Sequence, residues 1–253
     1  MRFIDLHCHL LPGLDDGSTS IVETVEMMRI AHQRGTRGIV ATPHAFQPVF
    51  ATGTSIAMCG AFSRTTDELS DLSQYAKYSF LKEMDVYLGS ENLITPEFFE
   101  ALKERKILTL SGSRYLLVEF PTFMPYPLVE KAAEQILESE LIPVLAHVER
   151  YDFFRRQPER LDELKQRGCV IQVNAKSLEA EGGDEESKLA FSLARRGLLD
   201  VIASDGHDLA RRRPDVQGAF DYLSREFSEQ SLSRWMSENP ARILADQDLP
   251  STG

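Results

Sequence analysis

Short apolar segments alternate with longer amphipathic segments along the whole chain. Seven apolar segments have the length of buried strands, at residues 3–8, 38–42, 86–89, 115–119, 143–147, 169–174 and 201–204. Segments with the apolar spacing of helices lie between and after them, at residues 20–34, 62–83, 96–105, 127–139, 158–167, 185–196, 215–227 and 231–239. Strands that alternate with helices predict a parallel sheet.

The number of strand–helix units sets the expected architecture. About seven units in 253 residues fit a single-domain α/β fold, a barrel close to the TIM-like β/α type. An open, doubly wound sheet is the alternative. We expect the domain to cover residues 1–245, with a flexible tail at 246–253 and loops at 45–60 and 179–186.

Charge and cysteine content narrow the class of partner and the compartment. A net charge of −11 argues against nucleic acid as a partner, because nucleic-acid-binding surfaces are usually basic. Three widely spaced cysteines form no disulfide framework, which is typical of a reducing cytoplasm. We see neither a signal peptide nor an apolar run of roughly 18 residues that could enter a membrane. We therefore expect a soluble, cytoplasmic protein.

Reactive side chains follow the apolar segments. Each of the seven strand ends carries a His, Asp, Glu or Asn side chain, and among the histidines only His32 lies elsewhere, inside the first helix. The carboxyl ends of the strands are where β/α barrels build their sites. Imidazoles and carboxylates are ligands for Zn, Mn or Fe, and without metal so many carboxylates would repel one another. The sequence therefore predicts a metal site.

The first strand carries the densest group of these side chains. Side chains of a strand alternate in direction, so Asp5, His7 and His9 are expected on one face, and Leu6 and Cys8 on the other. Two imidazoles on one face can chelate a single ion. We expect Asp5 to orient one of the ligand histidines.

Other routes to hydrolysis lack their motifs. No cysteine among Cys8, Cys59 and Cys169 begins the Cys-x5-Arg loop that a thiol-dependent phosphatase needs. The chain also has no Gly-x-Ser-x-Gly elbow and no Gly-rich P-loop with a Lys. These absences argue against a cysteine nucleophile, a serine hydrolase and a nucleotide kinase.

The motifs together resemble the PHP (polymerase and histidinol phosphatase) superfamily. Within it, they are most similar to bacterial PHP-type protein-tyrosine phosphatases of capsular and exopolysaccharide synthesis. The resemblance covers nearly the whole chain. It rests on Asp5-Leu6-His7-Cys8-His9-Leu10, Leu14-Asp15-Asp16-Gly17, Ala41-Thr42-Pro43-His44, Gly89-Ser90-Glu91, Leu117-Val118-Glu119-Phe120, Ala146-His147-Val148-Glu149-Arg150-Tyr151, Gln172-Val173-Asn174, Ala203-Ser204-Asp205-Gly206-His207 and Arg213-Pro214.

The resemblance implies the PHP fold, a distorted (β/α)7 TIM-like barrel in a single domain. It also implies up to three divalent metals per chain, with manganese favoured and zinc or iron as alternatives. The implied ligands of the first ion are His7, His9, Glu91 and Asp205. Glu91 would bridge to a second ion that Glu119 and His147 complete. The implied ligands of the third ion are Asp16, His44 and His207.

The resemblance also implies that Arg150 and an arginine near Arg213 bind the substrate phosphate. The run Arg211-Arg212-Arg213 leaves the register there open by one residue. After His44 the family tends to carry a further His and basic residues, whereas this chain reads Ala45-Phe46-Gln47-Pro48-Val49-Phe50. A charged phosphate contact from this segment is therefore missing, or aromatic packing replaces it.

The function that follows is hydrolysis of a phosphoester by a metal-bound hydroxide, without a covalent intermediate. The resemblance implies a phosphotyrosine-containing protein as substrate, namely a membrane-associated tyrosine autokinase. One alternative is a small-molecule phosphatase of the histidinol-phosphate type with the same metals. Another is a barrel that retains metal but serves as a non-catalytic regulatory binding protein. An amidohydrolase also begins with His-x-His, but Glu91, Glu119 and the Asp205–His207 pair fit the PHP pattern better.

Overall fold

A computed structural model describes residues 1–50 and 55–250 of the chain. Within these ranges the strands are all parallel. Their bounds are β1 Phe3–Cys8, β2 Thr36–Ala41, β3 His44–Ala45, β4 Asp85–Leu88, β5 Glu91–Leu93, β6 Tyr115–Glu119, β7 Ile142–Leu145, β8 Val170–Asn174 and β9 Val201–Ala203.

Two pairs of these strands are single strands with a short interruption. Thr42-Pro43 separates β2 from β3, and Gly89-Ser90 separates β4 from β5. The hydrogen bonds continue across both interruptions, from Gly89 N–H to the Ala41 carbonyl at 2.9 Å and from Glu91 N–H to the Pro43 carbonyl at 3.1 Å. The strands therefore correspond to the seven apolar segments of the sequence.

The last strand returns to the first. A parallel bridge joins Cys8 to Gly206, just beyond β9, and the His9 N–H donates to the Gly206 carbonyl at 2.8 Å. With β1 beside β2, β2 beside β4, and β5 through β9 paired in chain order, the curled sheet forms a distorted seven-stranded barrel. The prediction of a TIM-like barrel in one domain is confirmed, and the open sheet is excluded.

Helices cover the outside of the sheet. Their bounds are α1 Ile21–Gln33, α2 Ser55–Leu72, α3 Pro96–Lys103, α4 Tyr126–Glu138, α5 Asp152–Arg156, α6 Glu159–Gln166, α7 Glu185–Arg195, α8 Gln217–Leu223, α9 Glu229–Ser233 and α10 Asn239–Leu244. A π-helix at 234–238 joins the last two. Among the described residues, no helix is both long and apolar enough to cross a membrane.

Two sequence predictions about the segment between β3 and β4 need correction. The predicted helix at 62–83 is two elements, α2 and a 3-10 helix at Ala76–Glu83. The predicted loop at 45–60 is shorter, because α2 already begins at Ser55; residues 51–54 lie outside the described ranges. The rest of that loop, at 46–50, follows β3 directly.

The first strand departs from simple alternation. Leu6 packs inside the barrel with Val40, Leu117 and other inward-facing strand residues, whereas Cys8 packs with α1 on the outside. The prediction that Leu6 and Cys8 share a face is wrong. The pairing of β1 with β2 shifts register between Asp5 and Cys8, and such an irregularity re-aims side chains.

The barrel has an apolar floor and a polar rim. The inward-facing apolar cluster around Leu6, Leu117, Val144 and Val201 fills the end of the barrel where the strands begin. Residues after α10 lie against this end: the Tyr115 hydroxyl donates to the Gln247 carbonyl at 2.7 Å. The opposite end, where the strands finish, is left for polar side chains.

Candidate metal centre

The carboxyl ends of the strands bring together all nine side chains that the sequence analysis names as metal ligands. Each has a nitrogen or oxygen within 4 Å of another member of the set. Eight are buried or nearly so, and Asp16 is half-exposed at the rim. The nine are His7, His9, Asp16, His44, Glu91, Glu119, His147, Asp205 and His207.

His7 and His9 point their Nε2 atoms at each other. The two atoms are 3.3 Å apart. Nδ1 of His7 lies 3.3 Å from the side-chain oxygen of Gln172, and Nδ1 of His9 lies 2.7 Å from Asp15 Oδ2. Because each Nδ1 donates its proton to an oxygen, each Nε2 carries a lone pair when the ring is neutral. Two lone pairs this close repel each other, and a metal ion bound by both would remove that repulsion.

Glu91 lies at the centre of the cluster. Its Oε2 is 3.4 Å from His7 Nε2, 3.3 Å from His9 Nε2 and 3.0 Å from His44 Nδ1. Its other oxygen is 2.8 Å from His147 Nε2. The two oxygens thus face different sets of imidazoles, an arrangement that would let one carboxylate bridge two ions.

A further group of four ligand atoms lies at the rim. Candidate ligand atoms of His9, Asp16, His44 and His207 lie within 4.8 Å of one another. Asp16 Oδ1 is 3.4 Å from Nε2 of both His44 and His207. Three buried imidazole nitrogens make no well-aligned hydrogen bond among the described residues, namely Nδ1 of His44, Nδ1 of His147 and Nε2 of His207. The first and the last nevertheless face a carboxylate oxygen, at 3.0 and 3.4 Å.

The donor set fits divalent metal ions. Unpartnered buried imidazole nitrogens facing carboxylates are what protein sites offer to Zn, Mn or Fe. Without a cation the same groups perturb one another. Burial lowers the pKa of His7, but the carboxylates of Glu91 and Asp205 outweigh it and raise that pKa to about 9. Burial and the neighbouring Glu91 raise the pKa of Glu119.

Two of these side chains stand on strained backbone. His147 has φ 34° and Asp205 has φ 53°, values that residues other than Gly rarely adopt. Each comes just after a strand, β7 or β9, where the chain must turn its side chain inward. Such strain persists where the surrounding structure enforces it, and it is common at functional sites.

Two arginines reach the cluster from one side. Arg212 donates to both oxygens of Asp205, at 2.8 and 2.9 Å, and Arg150 Nη1 lies 3.4 Å from Asp205 Oδ2. Both side chains are more than one-third exposed and line a cavity of about 240 Å³ that opens beside Asp205. Arg213 also lines this cavity, but its guanidinium lies 3.8 Å from Asp215.

Asp5 is buried beside the candidate ligand His7. Its carboxylate accepts from the Ser204 N–H at 2.9 Å and from the His7 backbone N–H at 3.3 Å. The side chain therefore joins the ends of β1 and β9 and holds the His7 backbone, while Gln172 contacts the His7 imidazole. Burial raises the pKa of Asp5.

Sequence reasoning did not assign three residues that hold the ligands in place. They are Asp15, Gln172 and Gln47, whose amide donates to Glu119 Oε2 at 2.9 Å. Asp15 was visible in the Leu14-Asp15-Asp16-Gly17 motif, and Gln172 lies two residues before the strand-end Asn174. Nothing in the sequence near Gln47 indicates its contact with a residue 72 positions away.

A parallel barrel that gathers histidines and carboxylates around shared positions at its strand ends defines a metal-dependent hydrolase. Solved structures with the same fold include a dihydropyrimidinase from Brevibacillus agri, at a TM-score of 0.56 and 12% identity over 96% of this chain and 70% of that one. This likeness concerns the fold alone.

Comparisons over the whole chain define the family. Residues 3–245 match the family described as capsular polysaccharide synthesis, CpsB/CapC. The tyrosine-protein phosphatase YwqE of Bacillus subtilis is 31% identical over 97% of this chain and 93% of its own length. The tyrosine-protein phosphatase CpsB of Streptococcus pneumoniae is 29% identical over 96% of this chain and 99% of its own.

A solved structure agrees with this assignment. It comes from a study of YwqE and CpsB, described as unique metal-dependent tyrosine phosphatases, and superposes with a TM-score of 0.85 at 30% identity, covering 99% of this chain and 96% of that one. The chain belongs to the CpsB/CapC family.

Proposed function

We propose that this protein is a metal-dependent protein-tyrosine phosphatase. The observation that carries the proposal is the convergence of His7 Nε2 and His9 Nε2, 3.3 Å apart, on the buried carboxylates of Glu91 and Asp205. A bound cation would satisfy both imidazoles and both carboxylates at once. The named activity of the CpsB and YwqE relatives supplies the substrate class.

The nine side chains are proposed to hold up to three ions, of which manganese is the favoured one. The first ion would be held by His7, His9, Glu91 and Asp205, the second by Glu91, Glu119 and His147, and the third by Asp16, His44 and His207. Divalent ions at these positions would supply an activated water and neutralise negative charge on the phosphoryl group.

Arg150 and Arg212 are proposed to bind the phosphoryl oxygens. Both guanidinium groups lie at Asp205, on the open side of the cluster, and an arginine can offer two parallel N–H donors to a phosphate. Arg212 takes the place that the sequence analysis gave to Arg213. Asp5 is proposed to act on the reaction only through the backbone that it holds.

The chemistry of the leaving group favours an aryl ester. The phenol of tyrosine has a pKa of about 10, far below that of an alcohol, so the phenolate departs with less protonation than a serine alkoxide needs. This difference matters here because the titratable groups of the centre are arranged as metal ligands. Asp16, at the rim, is the most exposed carboxylate among them.

The partner is proposed to be a phosphotyrosine-containing protein, specifically a membrane-associated tyrosine autokinase of capsule or exopolysaccharide synthesis. Its dephosphorylation would take place in the cytoplasm, which suits a chain whose three cysteines are all free. The cavity at Arg150 and Arg212 is open to the surface, as a protein substrate requires.

The test compares kcat/KM for a phosphotyrosyl peptide and for histidinol phosphate on one Mn²⁺-loaded preparation. We expect the phosphotyrosyl peptide to be preferred. Histidinol phosphate ahead by tenfold or more would replace the tyrosine phosphatase with a small-molecule phosphatase. Metal bound with no hydrolysis of any aryl phosphate would leave a regulatory binding protein.

A further inference from the structure

The segment after β3 lies over the metal centre, although it carries no charged residue. It comprises residues 46–50, Phe46-Gln47-Pro48-Val49-Phe50. Phe46 has φ 63°, a left-handed conformation that bulky residues rarely adopt, and its ring packs edge-on against Phe98 of α3 at 5.8 Å. The residues that follow Phe46 lie beside His44 and Glu119.

Two side chains of this segment contact two of the metal ligands. The Phe50 ring stacks on the His44 imidazole, with ring centroids 5.1 Å apart and an interplanar angle of 10°. The Gln47 amide donates to Glu119 Oε2 at 2.9 Å. The Phe50 N–H donates to the Gln47 carbonyl at 3.2 Å, which closes a turn and fixes both side chains together. Phe50 is half-buried.

We propose that Phe50 is a specificity-determining residue whose ring packs against the tyrosyl ring of the substrate. This inference rests on the proposed function and deepens it. The segment thus supplies apolar contact for the aromatic part of phosphotyrosine beside His44, whereas the arginine pair lies at Asp205.

The position of the ring follows from the substrate's covalent structure. One ester oxygen joins the phosphorus to the ring of phosphotyrosine, so a phosphate held at the centre leaves the ring at the rim. His44 is a rim ligand, because its Nε2 lies 3.4 Å from the half-exposed Asp16. A ring seated there meets Phe50, and aromatic pairs attract beyond their area of contact. Phosphoserine carries its phosphate on a methylene group and therefore has no ring that could pack against Phe50.

The experiment measures one ratio: kcat/KM for a phosphotyrosyl peptide divided by kcat/KM for the same peptide with phosphoserine. The variants are Phe50→Leu, which keeps apolar bulk without a ring, and Phe50→Tyr, which keeps the ring. We expect Phe50→Leu to lower the ratio by about threefold to tenfold, mainly through KM for the phosphotyrosyl peptide, and Phe50→Tyr to preserve it.

The ratio protects the test from loss of metal. Both substrates are measured on one preparation, so a lower fraction of metal-loaded protein cancels. Val49→Ala is the matched control, because Val49 is the neighbour in the same segment and its side chain is 78% exposed; its ratio should equal that of the wild type. An unchanged ratio in Phe50→Leu overturns the inference alone, and equal losses for both substrates do the same. A wild-type ratio near one overturns the proposed function itself.

Discussion

At the scale of single residues, the two neighbours Arg212 and Arg213 differ sharply in their surroundings. Arg212 donates to Asp205 at 2.8 Å, whereas Arg213 lies 3.8 Å from Asp215. Sequence alone leaves this register open, because three consecutive arginines are equivalent until the loop has a conformation. The loop is shaped by Asp208, whose carboxylate accepts backbone N–H groups of Ala210 and Arg211 at 2.6 Å.

A mutation series separates Arg150, Arg212 and Arg213, three of the four arginines that line this cavity. Arg150→Ala and Arg212→Ala should each raise KM for an aryl phosphate, because one charge-assisted contact contributes roughly 1.5–3 kcal/mol, or about tenfold to a hundredfold. Arg213→Ala should change KM little and serves as the control. Steady-state kinetics, with metal content measured on the same samples, test this assignment. A larger effect from Arg213→Ala than from Arg212→Ala would mean that Arg213 binds the phosphate.

The residue scale also shows what sequence reasoning can reach. All nine proposed ligands could be named from the sequence because each follows a recognisable strand or motif. The side chains that orient them could not, since Gln172 reaches His7 across 165 positions and Gln47 reaches Glu119 across 72. Contacts of this kind depend on the closed barrel and on a turn after β3, and neither leaves a local pattern.

At the scale of elements, strand and helix positions were predictable and their irregularities were not. The predicted helix at 62–83 ends early at Leu72 because Ser73 turns its hydroxyl onto the Ser70 carbonyl at 2.7 Å, and side-chain bonds of this kind compete with helical ones. The register shift in β1 is another irregularity: it places Leu6 inside the barrel and Cys8 outside.

The loop after β1 leaves no room for a side chain at Gly17. Gly17 lies so close to the first strand that an added Cβ would be 2.2 Å from the His9 carbonyl oxygen. Ser18 N–H donates to that same oxygen at 3.0 Å, so the loop cannot move away without losing this bond. Gly17→Ala should lower the free energy of unfolding by about 1–3 kcal/mol and weaken metal binding, because Asp15 and Asp16 lie in this loop.

Thermal or denaturant unfolding with and without Mn²⁺ measures both effects. Gly183→Ala is the matched control, because a Cβ there meets nothing within 4 Å. Gly17→Ala with the stability and metal content of the wild type would show that the loop is free to rearrange.

At the scale of the whole molecule, the barrel explains why the ligands can be so scattered in sequence. His7 and His207 are separated by 200 positions, yet β1 and β9 meet where Cys8 bridges to Gly206. The count of seven strands was readable from the apolar segments, but closure was not, because an open sheet uses the same strands. Closure is what turns a row of strand ends into one pocket.

The net charge of the molecule bears on how an anionic substrate is attracted to that pocket. A chain of net charge −11 gives an anionic phosphopeptide no long-range help, so under the proposed function the attraction must come from the metals and from Arg150 and Arg212. Removal of the metals should therefore abolish activity, and the thiols should not matter. A chelator is expected to eliminate aryl phosphatase activity, Mn²⁺ to restore it, and iodoacetamide to leave it intact.

The three cysteines make the thiol half of this prediction specific. Cys8 and Cys169 are buried, and burial raises the pKa of Cys8 well above its usual range and that of Cys169 to about 12, so neither forms the reactive thiolate. Cys59 is exposed on α2 and should take up the label. Mass spectrometry of the alkylated protein, with activity measured on the same sample, tests both points. Activity that survives the chelator but is lost as Cys59 is alkylated would mean that the catalytic group is a thiol and that the histidine–carboxylate cluster only supports the fold.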